Sequence, residues 1–320
     1  MNGVKVGIIG IGNMGYAHLQ TVTAGNIPEM TVTAVCDINP ERLKAAKAEY
    51  PDIAAFGDYT DLLKNSDTDA VIIAVPHPLH AKIAIEAFEY GKHVLVEKPM
   101  DITVSAAEKL CAAARKSGKV FAVMFNQRTN GLFREARRIV KSGELGEIKR
   151  SVWIITNWYR TQSYYDSGSW RATWRGEGGG VLLNQAPHNL DIWQWICGSP
   201  ATVTAFCNAG KFHNIEVEDE ATIYAEYENG ATGVFITSTG DCPGTNRLEI
   251  TGTRGKMVLE SGILKLWKLK EDERDICRNS ADGFVSPETE YSEFTAEREE
   301  AHAGILKNFA GAILYGEELL

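Results

Sequence analysis

The run VKVGIIG (Val4–Gly10) leads directly into Gly10-Ile11-Gly12-Asn13-Met14-Gly15 and then into the helical pattern YAHLQTVTAG, and this order constrains the fold most. A short apolar run rich in β-branched residues is the mark of a strand buried on both faces. The first glycine allows the tight turn, the second lets a pyrophosphate approach the backbone, and the third lets helix pack on strand. The helix start then offers free N–H groups and a favourable dipole to phosphate. A glycine loop alone is weak evidence, but a second strand, TVTAVCD, ends in Asp37 about twenty residues later. There a carboxylate can accept from the adenosine ribose hydroxyls, with Ile38 beside it. The same carboxylate repels a 2′-phosphate, so NAD is expected over NADP. Arg42 is the open alternative, as a holder of that phosphate or as a solvated residue of the helix that opens at Pro40.

The alternation continues through DAVIIAVP, HAKIAIEAFEYG, HVLVEKP, SAAEKLCAAARKSG and KVFAVMF. Strands alternating with helices imply a doubly wound parallel sheet, an α/β Rossmann domain over residues 1–125. Ligands of such sheets bind beyond the carboxyl ends of the strands. That rule selects Ala74, Val75, Pro76, His77 and His80, then Glu97, Lys98 and Pro99, then Phe125, Asn126, Gln127 and Arg128. His18, His93, His213 and His302 carry no local signal.

Composition bounds the rest. A chain of 320 residues fits two domains, and 44% hydrophobic with 23% charged residues is ordinary globular content. The net charge of −9 argues against a nucleic-acid partner, which usually needs a basic face. The six cysteines show no zinc spacing, no carboxylate–histidine cluster suggests a metal, and buried reduced thiols are expected. The start lacks the features of a signal peptide and no apolar run matches a membrane span, so a cytoplasmic protein with no membrane partner is expected.

Residues 126–320 read as a second α/β domain. A helix stopped at Gly143 precedes the alternating strand EIKRSVWIITNWYR, and further alternating strands come after it, with Asn229-Gly230 and Arg254-Gly255 as hairpin turns. One face of such a sheet is buried and the other meets solvent or another subunit. The loop Thr161–Gly180 is long enough to be functional or disordered, and Tyr164, Tyr165, Trp170 and Trp174 favour a packed loop. Trp158, Tyr159, Trp170, Arg171 and Trp174 are candidate substrate contacts, since aromatic faces suit the C–H-rich faces of sugars; Arg175 is a further candidate. A final amphipathic helix spans about 296–316 and is expected to pack back on the first domain.

In GGGVLLNQAPHNLD (Gly178–Asp191), glycines run into Asn184, His188 and Asp191 at i, i+4, i+7 helical spacing. Gln185 lies among them, and Pro187 either starts the helix or kinks it. Asp191 is expected to brace the histidine or the backbone.

These motifs, in this order, resemble the glucose–fructose oxidoreductase / inositol dehydrogenase (Gfo/Idh/MocA) family. The resemblance rests on the glycine loop, Asp37, Pro76, His80, Glu97-Lys98-Pro99, SGELGEI and GGGVLLNQAPHNLD, and covers nearly the whole chain. It implies a Rossmann domain followed by an α/β domain with a large, mostly antiparallel open sheet. It also implies oxidation or reduction of a secondary alcohol on a sugar, glycoside or cyclitol with NAD(H) or NADP(H). By that resemblance Lys98 is the active-site lysine, Pro99 follows a cis peptide and His188 is the catalytic histidine. Asn184 stands where many members have an aspartate. The resemblance also implies a homo-oligomer, a dimer or tetramer built through the open sheet.

Hydride transfer from a carbinol carbon requires a group to take the hydroxyl proton. Lys98 and His188 are the candidates. His188 is assigned as general base/acid and Lys98 as orienter and relay, with the reverse open. Asn184, lacking charge, leaves either group more readily neutral. Three functions stay in view: a dehydrogenase that releases NADH, possible at C3 of a pyranosyl ring among other carbons; an enzyme that retains NAD through a cycle of transient oxidation; and a nucleotide-sensing module without catalysis.

Overall fold

The computed structural model describes residues 3–296 and 300–320. The chain forms two compact units, Met1–Asn126 with Arg175–Gly178 and Glu300–Leu320, and Gln127–Trp174 with Gly179–Glu299. Among the described residues the strands form two sheets.

The first unit contains β1 (Val4–Ile9), β2 (Met30–Cys36), β3 (Ala54–Phe56), β4 (Ala70–Ile73), β5 (His93–Val96) and β6 (Phe121–Val123). All pair in parallel, in the order β3-β2-β1-β4-β5-β6. Helices α1 (Asn13–Thr23), α2 (Pro40–Glu49), α3 (Tyr59–Asn65), α4 (His80–Glu89) and α5 (Val104–Ser117) connect them. Local chemistry sets the helix ends: the Asn39 side chain caps α2 by accepting from Glu41 N, and Gly118 stops α5 in the left-handed region. Strand order reverses between β1 and β4, the point where such sheets bind ligands.

The strands read as continuous apolar runs because both sheet faces are covered. Val6, Ile8, Ile72 and Leu95 pack on one side with Leu19 of α1, while Ile9, Val71, Ile73 and Val96 pack on the other with Ala84 and Leu110. A further helix, Ala301–Tyr315, adds Ile305, Leu306, Phe309 and Ala310 to the first of these cores. The helix expected from about 296 therefore starts at Ala301 among the described residues, and 297–299 lie outside them.

The second unit contains β7 (Ile148–Ile155), β8 (Thr202–Ala209), β9 (Glu218–Glu226), β10 (Thr232–Ser238), β11 (Asn246–Gly252), β12 (Gly255–Glu260), β13 (Ile263–Leu269) and β14 (Thr289–Thr295). Their order is β14-β13-β12-β11-β7-β10-β9-β8, antiparallel apart from β10 with β7. Helices α6 (Gly131–Lys141), α7 (Gln162–Asp166), α8 (Pro187–Cys197) and α9 (Glu273–Asn279) belong to this unit, and Ala301–Tyr315 is α10. Helices α6 and α8 cover one face, Phe133 and Trp193 meeting Trp153 and Phe235. A Cβ on Gly233 would stand 2.5 Å from Trp193 Cζ2, so the strand needs a glycine beneath that ring. On the uncovered face Val152, Ile154, Arg247 and Glu249 line a shallow depression, and Phe206 and Tyr224 are exposed.

Several local expectations change. The strand expected to reach Arg160 ends at Ile155, beyond which the backbone turns to Thr245 and Thr239. The Asn229-Gly230 hairpin is a longer turn: Gly230 N donates to Tyr227 O, and Gly230 takes φ +82°. At the next hairpin Gly252 pairs with Gly255, so Thr253-Arg254 forms the turn. Of the cysteines only Cys36 is buried, while Cys207, Cys242 and Cys277 are exposed.

Candidate active site

In the nucleotide-binding unit the glycine loop is built by exclusion of side chains. Gly10 has φ +87°, and a Cβ there would lie 2.5 Å from Ala74 O. A Cβ on Gly15 would lie 1.8 Å from Gly10 O, so only glycine lets α1 start against the end of β1. At Gly12 the nearest atom to such a Cβ is Arg42 Nη1 at 3.9 Å, leaving the backbone open to a ligand. Gly12 caps α1 without a side-chain hydrogen bond and no acidic residue occupies the first turn. With Ile11, Asn13 and Met14 this forms a cradle suited to a pyrophosphate.

Asp37 is buried at the end of β2. Its Oδ2 accepts from Ile11 N at 2.9 Å and its Oδ1 from Asn39 N at 2.8 Å, which fixes the carboxylate beside the loop. Arg42 Nη1 lies 3.3 Å from Oδ2, a half-exposed pairing of the guanidinium with the ribose-binding candidate. Ile38 is 93% exposed, an apolar surface beside that carboxylate. These residues fit an NAD adenosine without a 2′-phosphate: charge repels the phosphate, and Arg42 is drawn toward Asp37.

Beyond β4 and β5 the expected residues divide. Ala74, Val75 and Pro76 form the turn, with Ala74 N donating to Ile9 O. His80, expected to line the cofactor pocket or to stabilise a turn, is fully buried with Nδ1 2.7 Å from Pro99 O and Nε2 2.8 Å from Val75 O. It clamps the two turns together. Glu97, also expected at the cofactor, is buried and engaged by His18 at 2.7 Å and by the Lys98 N–H at 3.2 Å. His77 is half-buried, and burial, followed by the charges of His80 and Lys98, pushes it down to about 4. The Lys98–Pro99 peptide is cis. Burial pulls Lys98 below the ordinary lysine value, against the charges of Glu97 and then Glu177. Asn126 Nδ2 lies 3.4 Å from the ring nitrogens of His302.

In the other unit the glycine run docks on β9. Gly180 N and Leu182 N donate to Glu218 Oε1 at 2.9 and 3.1 Å, and a Cβ on Gly180 would lie 1.9 Å from Glu218 O. Asn184 sits in the following turn, its N–H on Gly180 O, and Pro187 starts α8. The shared helical face expected for 184, 188 and 191 therefore holds for His188 and Asp191, both in α8, and leaves Asn184 outside it. Asp191 takes a different partner from the one expected: Arg128 Nε and Nη2 donate to it at 2.7 and 2.5 Å. That fork, over Trp195, orients the guanidinium of Arg128, one of the residues expected at the ligand edge.

The loop after Arg160 is packed, as its aromatics suggested. Tyr165 and Ala172 are buried with Val217, and Tyr165 Oη bonds Thr239. Arg171 stacks on Tyr164 and Trp170 and donates to Tyr164 Oη at 2.9 Å, while Gln185 Nε2 reaches the same hydroxyl at 3.4 Å. Tyr159, Trp170 and Trp174 stay substantially exposed. Trp158 Nε1 is buried with no hydrogen-bond partner among the described residues. His18, Glu177 and Glu218 went unselected in the sequence. No local signal marks His18, because its partner Glu97 lies 79 residues further along the chain.

Among the described residues no group of three or more His, Cys, Asp or Glu could hold a metal ion. No helix is long and apolar enough to cross a membrane.

A parallel sheet with this glycine turn, a buried carboxylate, Asp37, at the end of the second strand and a lysine at the strand edge has the form of a nicotinamide-nucleotide oxidoreductase. Residues 4–125 match the model of the GFO/IDH/MocA oxidoreductase family with its NAD-binding Rossmann fold, and residues 133–258 match the GFO/IDH/MocA C-terminal domain. The chain belongs to this family, and its cofactor is NAD. It is 30% identical over 263 residues to the uncharacterized oxidoreductase YrbE of Bacillus subtilis, covering 81% of this chain and 74% of that one. It is 26% identical over 268 residues to scyllo-inositol 2-dehydrogenase (NAD(+)) of Bacillus subtilis, covering 80% and 73%. The structure of the WlbA dehydrogenase of Chromobacterium violaceum, in complex with NADH and UDP-GlcNAcA, is similar at a TM-score of 0.83 and 27% identity, covering 99% and 88%.

Asp37→Ala is expected to weaken NADH binding by about tenfold or more, as a charged hydrogen-bond acceptor is lost, while NADPH binding weakens less or improves as Arg42 is freed. Fluorescence titration with both nucleotides checks this, and equal loss for both contradicts the ribose role.

Proposed function

We propose that this protein oxidises a secondary alcohol of a sugar, glycoside or cyclitol, with Lys98 and His188 handling the proton. The observation that carries the reading is Lys98 at the cis turn after β5, at the ligand-binding edge of the nucleotide sheet, with its ammonium disfavoured by burial. NAD, when bound, accepts the hydride from the carbinol carbon. The residues of this chain do the rest. A neutral lysine or histidine accepts the hydroxyl proton as the hydride leaves, and the other orients the hydroxyl by hydrogen bonding. His188 in the first turn of α8 is assigned as the base, with Lys98 as orienter. Trp158 Nε1 is offered as a donor to a further hydroxyl, and the exposed rings of Tyr159, Trp170 and Trp174 suit the C–H faces of a sugar ring. The cyclitol and sugar-nucleotide names among its relatives support this substrate class.

Incubating the protein with NAD and a panel of myo-inositol, scyllo-inositol, glucose and methyl glucosides is expected to raise NADH absorbance with at least one member. Lys98→Met is expected to lower kcat by about a hundredfold or more and to leave NADH binding intact. Undiminished turnover in that variant removes the lysine from the mechanism. Turnover dependent on added NAD identifies a dehydrogenase, whereas turnover by cofactor carried through purification identifies a cycle that retains it.

Asn184→Asp adds a negative charge one turn before His188 in the same unit. A carboxylate there favours the imidazolium and raises the histidine pKa. Because the base must be neutral, the acidic limb of the pH–rate profile is expected to move to higher pH. An unmoved limb contradicts His188 as the base.

We also propose a homo-oligomer through the uncovered face of the eight-stranded sheet, supported by the exposed Phe206 and Tyr224 and by Val152 and Ile154 at its centre. Val152→Arg is expected to halve the mass or more in light scattering. An unchanged mass, or a monomeric parent protein, contradicts it.

A further inference from the structure

The nucleotide-binding unit holds a polar network that neither the glycine loop nor the proton chemistry accounts for. Helix α1 carries His18, almost wholly buried, to Glu97, and His18 Nε2 lies 2.7 Å from Glu97 Oε1. The second oxygen of Glu97 accepts from the Lys98 N–H at 3.2 Å. His302 of α10 meets the His18 ring edge-on at 5.6 Å between centroids, and Asn126, just past β6, reaches the far side of the network through His302. Helices α1 and α10 and the turn after β5 thus bring His18, His302 and Lys98 around one buried carboxylate, with Asn126 against His302. A carboxylate in such a place is costly unless donors or cations hold it. Burial pushes Glu97 up, but the hydrogen bond from His18, its charge and that of Lys98 outweigh this and hold the carboxyl below its ordinary value.

We infer that His18 is a positioning residue for Lys98: by holding Glu97 fixed and charged beside it, the histidine sets the proton affinity of the lysine from within the nucleotide-binding unit. The inference rests on the reading of Lys98 as part of the proton machinery. In this unit the carboxylates of Glu97, beside it, and of Glu177, from the stretch Arg175–Gly178, act on Lys98, and the charge of Lys98 in turn lowers His77 after β4 and His302 on α10. Glu177 is 2% exposed and supplies a second negative charge. The two carboxylates favour the ammonium, and burial with any positive charge on the histidines opposes it. If Glu97 loses its support from His18, burial drives it to take a proton. Lys98 then loses one of its two counter-charges, and its pKa falls.

The test needs no substrate. In full-length protein labelled with 13C,15N-lysine, the Lys98 side-chain resonance is assigned by its disappearance in Lys98→Met and followed across pH. Glu97→Gln keeps the shape and removes the charge, and is expected to lower the Lys98 midpoint by about one pH unit or more. His18→Ala is expected to lower it in the same direction, and the double variant no further than Glu97→Gln alone. His18→Gln, whose amide can donate from the place of Nε2 but carries no charge, is expected to leave the midpoint closer to the parent value than His18→Ala does. An unmoved midpoint in His18→Ala, with only a lower melting temperature, reduces the pair to a packing feature and overturns the inference. If His18→Ala does not fold, His18→Gln and Glu97→Gln carry the test, and a midpoint unmoved in Glu97→Gln overturns it equally. Failure of the Lys98 reading is a separate result: turnover survives in Lys98→Met, whatever the titration shows.

Discussion

The nucleotide-binding unit depends on a contact in which no side chain takes part. Gly10 O occupies the space where a Cβ on Gly15 would stand, and Gly10 itself turns with a positive φ against Ala74. The end of β1, the end of β4 and the start of α1 therefore meet backbone to backbone. As a result the first N–H groups of α1 face an open cradle beside Gly12, and Asp37 is held to Ile11 at the same edge. One helical turn further on, α1 delivers His18 to Glu97, so the glycine loop and the lysine turn meet the same helix.

The second unit uses the same device. Gly180 lies against Glu218 O with no room for a Cβ, and the Glu218 carboxylate takes the N–H groups of Gly180 and Leu182. The chain then enters α8 at Pro187, which has no N–H to lose at that position. Asp191 is fixed by the Arg128 fork and Trp193 by Ser151 Oγ, so the helix carrying His188 is anchored on the face beyond its first turn. In the first unit a backbone approach sets the start of α1, in the second unit another docks the glycine run ahead of α8, and buried pairs or an indole hydrogen bond hold the later turns of both helices.

Much of this was legible in the sequence because it rests on local rules. The parallel sheet came from apolar runs such as VIIAV alternating with helical patterns, the half-buried strands of the second unit from alternation in runs such as ATGVFITST, their mostly antiparallel arrangement from the family resemblance, and the loop from three glycines at fixed spacing. The less legible parts depend on partners far away in the chain. Nothing local distinguishes His18 from a surface histidine of an amphipathic helix, because its partner Glu97 is brought in by β5. Arg128 was picked because it lies just past a strand end, and its pairing with Asp191, 63 residues away, had no local signal. His80 looked like a cofactor contact for the same reason, yet two backbone carbonyls hold its ring. Asn184 shared a helical period with His188 until Pro187 began the helix after it. Turn lengths were misplaced by a residue or so, since Gly230 and Gly255 mark the exits of their turns more than their centres.

The proposed chemistry stands or falls on hydride passing directly from a substrate carbon to the nicotinamide held over this edge. Incubation with NAD and the same sugars and cyclitols carrying deuterium on every carbon, followed by mass spectrometry of the nucleotide, measures that step. The reduced nucleotide is expected to carry a single deuterium drawn from the substrate. Nucleotide reduced with hydrogen from solvent, or a complete absence of reduction across the panel, would contradict direct transfer.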